Sequence, residues 1–224
     1  GDLSAQQLAD GVKPGRITLF FDEPIRERQG YDFVVFENAF VSGWGQAGGS
    51  VVGQVFAELG YVEVSSDAKH FVRFRSVSLT SLPVESLFGT LDATDVYNLA
   101  GKHPNGYGVC TGTPFDLSQI ADDPKVVSGL VDINDIRYVR IVDIPGCGDY
   151  RDSAGMMTDP NSFPRWSSYD ANHPIYDPWD TSSAPLYPSG GFDLEAIGVL
   201  REQRFSADVD LNGVVDMFDF ARFA

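Results

Sequence analysis

The chain has 224 residues, and 32 acidic against 16 basic side chains give it a formal charge of −16 at pH 7. That length fits one large β domain, or one domain plus an appendage, and can bury a sizeable core. So acidic a surface repels nucleic-acid phosphates and anionic lipid heads, and no apolar run reaches the roughly 20 residues of a membrane-spanning helix, so neither nucleic acid nor membrane insertion is expected.

In chain order, "SAQQLADGV" (4–12) reads as a short amphipathic helix. "RITLFFDEPI" (16–25) and "YDFVVFENAF" (31–40) are β-branched and aromatic runs separated by "RERQG". "GWGQAGGS" (43–50) is glycine-rich but lacks the lysine of a phosphate-binding loop, so it reads as a turn. "YVEVSSDAKHFVRFRSVSL" (61–79) predicts a hairpin, its strands alternating apolar and polar residues on either side of "SSDAK". A second short helix is expected in "PFDLSQIAD" (114–122), and late strands in "IRYVRIVDI" (136–144) and "FDLEAIGVL" (192–200). With helices so scarce between strands, a doubly wound parallel sheet is disfavoured and an all-β antiparallel sandwich is expected over residues 1–200.

Residues 148–191 form a long aperiodic stretch rich in Pro, Ser and Asp. Trp166, Tyr169, Tyr176 and Trp179 within it argue against disorder, which is poor in aromatics, and predict an ordered loop against the sandwich or another molecule. These rings offer either a stacking platform for sugars or a small loop-covering core. Cys110 in "GYGVCTG" and Cys147 in "PGCGDY" are the two cysteines. In an oxidising compartment they would pair; the other reading is two free thiols.

Residues 201–224 read as a separate tail, in which "DVDLNGVVDMFD" (208–219) has the spacing of a twelve-residue calcium loop. Asp208, Asp210, Asn212, Asp216 and Asp219 occupy ligand positions 1, 3, 5, 9 and 12, the Val214 carbonyl is position 7, and Gly213 permits the turn. Calcium takes six to eight oxygens, and this set supplies that number, so Ca2+ is the expected cofactor. Beyond the loop, Phe218, Phe220 and Phe223 crowd a helix too short to stand alone in water, which must dock on its own sandwich or on a neighbouring subunit. Asp143, Asp149, Asp193 and Glu195 lie near strand ends where a second calcium ion could sit.

Aspartate rather than glutamate at position 12 makes this loop resemble a dockerin type I repeat, though the chain carries one such repeat where a dockerin has two, which puts cohesin docking in doubt. "YVEVSSDAKHFVRF", "RYVRIVDI" and "GGFDLEAIGVL" resemble segments of discoidin-type jelly rolls. More closely, "RITLFFDEPI", "YDFVVFENAF", "FGTLDATDVYNLAGKH" and "GGFDLEAIGVL" resemble an uncharacterised family of secreted and cell-surface proteins from planctomycete-like bacteria. The resemblance implies a jelly-roll sandwich on the bacterial cell surface, with no activity to carry over.

The three histidines, His70, His103 and His173, stand apart in loops, and there is no HExxH, GxSxG or CxxC motif. Carboxylate pairs for sugar hydrolysis are too many to single one out. No catalytic residue is therefore named. The expected function is that of a secreted, non-catalytic calcium-binding surface or structural protein, whose tail and loops mediate self-assembly or attachment to another cell-surface protein. The alternatives are a carbohydrate-binding module that takes glycan and, last, a calcium-dependent polysaccharide hydrolase.

Overall fold

In a computed structural model of the chain, the described residues are 3, 5–43, 50–84, 88–108, 110–153, 172–178 and 191–200. Among them are eleven strands and little helix, all strand pairs being antiparallel, so the fold is all-β as expected. The strands are β1 (Arg16–Ile25), β2 (Phe33–Glu37), β3 (Phe40–Val41), β4 (Val55–Phe56), β5 (Gly60–Ser65), β6 (Val72–Arg73), β7 (Val77–Ser78), β8 (Val96–Tyr97), β9 (Thr113–Phe115), β10 (Ile136–Asp143) and β11 (Leu194–Val199). A four-stranded sheet has the order β1-β10-β5-β6 and a three-stranded one the order β11-β2-β9. β3 pairs with β4, and β7 with β8, as two-residue ribbons.

The two larger sheets share one core, which makes the body sandwich-like. Ile25, Val62, Val64, Val72, Val139 and Ile141 from the first meet Phe33, Val35 and Phe115 from the second. Phe33 stacks on Phe115 at 5.3 Å and meets the edge of Phe74 at 5.9 Å between ring centroids. A second core gathers Ala57, Leu59, Tyr61, Leu91, Leu99, Ile144 and Ile175.

The alternation that predicts these strands also decides what they bury. In β10, Val139, Ile141 and Asp143 point inward; in β2, Phe33, Val35 and Glu37 do. β10 pairs with β1 on one side and β5 on the other, and the predicted hairpin closes by pairing Glu63 with Arg73 and Val64 with Val72. On that sheet Glu63 accepts from the Arg73 guanidinium at 2.8 Å and from Arg140 at 3.3 Å.

Helices are shorter than predicted. The first is a single turn, α1 (Ala5–Ala9). "PFDLSQIAD" is not one helix: Pro114 and Phe115 belong to β9, opposite Val34 and Phe33, and Asp116 then caps a 3-10 turn at Leu117–Ile120 through the Ser118 N–H. A short helix not foreseen in the sequence, α2 (Pro124–Val127), follows, capped by Asp123 with proline in its first turn.

The expected disulfide is a correction. Cys110 and Cys147 are both free thiols. Cys110 lies exposed in the loop ahead of β9 of the three-stranded sheet, while Cys147 sits half-buried in the turn after β10 of the four-stranded sheet. Burial pushes the Cys147 thiol pKa up.

Candidate cation-binding site

Where the inward-facing rows of β2 and β10 run out, both end on an acid. Glu37 closes β2 and Asp143 closes β10, with exposures of 1% and 7%. Register places them at one end of the body: Glu37 is opposite Leu194, the first residue of β11, and Asp143 is opposite Gly60, the first residue of β5. Glu58, two residues ahead of Gly60, is a third buried acid there.

The approach to β11 joins the two sheets at this end. The Phe192 N–H donates to Asp143 Oδ1 at 2.8 Å, and its ring lies over Gly60, where a Cβ would come within 2.9 Å of it. Gly101 has φ +89°, and a Cβ there would stand 2.2 Å from the Glu58 carbonyl oxygen, so only glycine lets this turn close on Glu58. Asp193 Oδ2 accepts from Asn38 Nδ2 at 3.1 Å, and Glu195 accepts from Asn105 Nδ2. Asn38, Asp143, Asp193 and Glu195 line one cleft of about 380 Å³ together with Gly15 and Arg16.

Glu37 is the unusual member. Its Oε2 accepts the Ala39 N–H at 2.8 Å, but its Oε1 is buried with no hydrogen-bond partner. Burial, then the charges of Glu58 and Asp193, push its pKa up to about 9 against the opposing backbone donors of Ala39 and Asn38. A buried acceptor left unsatisfied costs about 1–3 kcal/mol, and more when charged. Such an arrangement calls for either a proton or a cation on Oε1.

A second acidic group lies elsewhere. Glu27, Asp32 and Asp116 hold carboxylate oxygens within 4.8 Å of one another. Asp32 is buried and accepts from the Arg28 N–H at 2.9 Å and the Leu117 N–H at 2.8 Å, so one carboxylate ties the start of β2 to the 3-10 turn. Burial is the largest cause that raises its pKa, to about 6, and Glu27 and Asp116 add to it.

Two more buried aspartates anchor the described part of the long aperiodic segment. Asp152 accepts from the backbone of Asn172 and His173 on one oxygen, and from Ser78 N–H and the His173 ring on the other. Asp177 accepts the Leu59 N–H at 2.7 Å, and a Cβ on Gly146 would fall 1.9 Å from its other oxygen. Residues 172–178 thus lie against the body, as expected of an ordered loop.

Of the residues singled out in the sequence, Asp143, Asp193 and Glu195 come together at the cleft, whereas Asp149 stands apart beside Cys147 and Tyr150. Tyr176 is half-buried with its ring against Gly148. His70 pairs with Asp67 and His103 with the Gly112 carbonyl, each in its own loop. Trp166, Tyr169, Trp179, the calcium-loop residues Asp208, Asp210, Asn212, Val214, Asp216 and Asp219, and Phe218, Phe220 and Phe223 lie outside the described residues. Sequence reasoning missed Glu37 and Glu58. Glu37 was legible, since it follows Phe33 and Val35 at the two-residue period of an inward row; Glu58 lies between buried Ala57 and Leu59 and shows no such signal.

No family model matches the chain, and no curated protein or solved structure matches it.

Proposed function

We propose that the protein is a secreted, non-catalytic calcium-binding component of a bacterial surface, whose C-terminal loop and helix link it to copies of itself or to another envelope protein. The observation that carries this reading is the twelve-residue spacing of oxygen donors from Asp208 to Asp219, with Phe218 inside it and Phe220 and Phe223 just beyond. In this account the sandwich is a jelly roll, Ca2+ is the cofactor, and the tail is a small unit of its own at 201–224. The net charge of −16 supports it as well, because it opposes association of like-charged copies and a cation at their contact relieves that repulsion.

A second reading, a glycan-binding module, is favoured by one surface. Phe40 stacks on Phe56 at 5.1 Å and meets Tyr107 edge-on at 5.3 Å, with Tyr107 exposed and Phe88 beside Phe56. Exposed rings of this kind are what sugar faces stack on.

Size-exclusion chromatography of the full chain, in calcium and then in chelator, separates the two. The assembly reading expects a larger species in calcium that reverts to monomer in chelator. A monomer in both conditions, retained on immobilised polysaccharide, would replace it with the glycan reading.

A further inference from the structure

We propose that the outer edge of β1 pairs with the same edge of a second copy, antiparallel and centred on Leu19, as a contact separate from the C-terminal loop. β1 is the outermost strand of the four-stranded sheet, and no described strand lies along its other side. Gly15 accepts from the Asp143 N–H, and the register runs from Arg16 opposite Val142 to Phe20 opposite Tyr138. Backbone groups alternate sides along an antiparallel strand, so Gly15, Ile17 and Leu19 bond toward β10 while Arg16, Thr18 and Phe20 face outward from the edge. Apolar side chains stand open there too, Ile17 at 46% and Phe20 at 57% exposed. A long edge of this kind is a template for another strand. Asp22, Glu23 and Pro24 blunt its far half, but no charge interrupts residues 17–21.

Charge selects a second copy as the partner and fixes the register. In a chain with twice as many acids as bases, residues 11–21 hold Lys13 and Arg16 and no acid. Only a centre on a whole residue lets outward-facing backbone meet outward-facing backbone. Of such centres, Leu19 alone sets opposite charges of β1 against each other, with Arg16 opposite Asp22 of the second copy, and the symmetry repeats the pair. The same centre puts Thr18 opposite Phe20, whose backbones both face outward, and Pro14 opposite Pro24, so residues without an N–H fall beyond the ends of the paired stretch. Pairing over residues 16–22 buries less than the roughly 1,200 Å2 of a stable interface, so without calcium the chain is monomeric when dilute and dimeric only when concentrated.

Analytical ultracentrifugation of the full chain in chelator, over a range of concentrations, isolates this contact from the C-terminal loop, which holds no ion there. The parent should dimerise reversibly as concentration rises. Arg16→Asp or Asp22→Arg should weaken the dimer at least about tenfold, and the two together should restore it; both positions are exposed, so the fold is kept. In a Cys110→Ser, Cys147→Ser background, Leu19→Cys should oxidise to a disulfide-linked dimer, because Leu19 and its symmetry mate form a non-hydrogen-bonded pair with Cα atoms about 4.5 Å apart. Ile17→Cys, more exposed but facing Phe21 of the second copy, should not. Three results would each overturn the assignment: a parent that stays monomeric at every concentration, a double charge variant no better than the single ones, or a Leu19→Cys chain that cross-links no faster than Ile17→Cys. None of them bears on the C-terminal loop, whose linkage is read in calcium.

Discussion

Asp32 shows how a single carboxylate can do structural work at a cost in charge. It satisfies two backbone N–H groups, from Arg28 and Leu117, while sitting 1% exposed beside Glu27 and Asp116. Its folded-state pKa, about 6, lies above the ordinary 3.8, so the folded chain holds the proton more tightly than the unfolded one. The resulting stabilisation, up to about 3 kcal/mol, is fully present below pH 3.8 and lost as pH rises through about 6. Asparagine cannot ionise, and it cannot accept both N–H groups with two acceptor atoms. Calorimetric stability of the parent relative to Asp32→Asn should therefore fall steadily between these two pH values; a difference that stays flat across the window contradicts the account. Of the buried acids, those ending a row of alternating residues, such as Glu37 and Asp143, can be read from sequence. Asp32, Asp152 and Asp177 cannot, because each is buried by a partner backbone distant in sequence.

The long strands declared themselves because a sheet with one covered face repeats every two residues. β1, β2, β10 and β11 lie inside predicted runs, and β5 starts one residue ahead of its own. The two-residue ribbons β3–β4 and β7–β8 are too short to show a period, and they exist because Phe40 opposite Phe56 and Val77 opposite Tyr97 pair across distant parts of the chain. The same tertiary override placed the first two residues of the second predicted helix in β9, whose Phe115 completes the aromatic stack with Phe33. Phe74, which follows β6 of the four-stranded sheet, meets the edges of both rings, so the three-ring cluster joins the sheets. Phe33→Ala should cost about 3–5 kcal/mol in urea unfolding, since fully buried rings of Phe74 and Phe115 would border the space it leaves. A loss under about 1 kcal/mol would mean that the two sheets are held together elsewhere. The anchoring of residues 172–178 follows different physics: charged acceptors buried under backbone donors, worth more apiece than neutral hydrogen bonds.

Taken whole, the molecule is a strongly acidic chain that gathers some of its acids inward at one end of the described body and carries five further Asp and Asn side chains between residues 208 and 219 of its sequence. Repulsion between exposed charges is screened over about 8 Å at physiological ionic strength, so monovalent salt weakens it without bringing any two copies into register. A divalent ion held by fixed oxygens does both: it neutralises and it shapes. Sedimentation velocity on the full chain and on its Asp208→Asn, Asp216→Asn variant puts this claim to its most direct test, in calcium and in sodium chloride of matched ionic strength. The account predicts a larger species only for the parent chain in calcium. Equal sedimentation of parent and variant in calcium, whether both assemble or neither does, would contradict it.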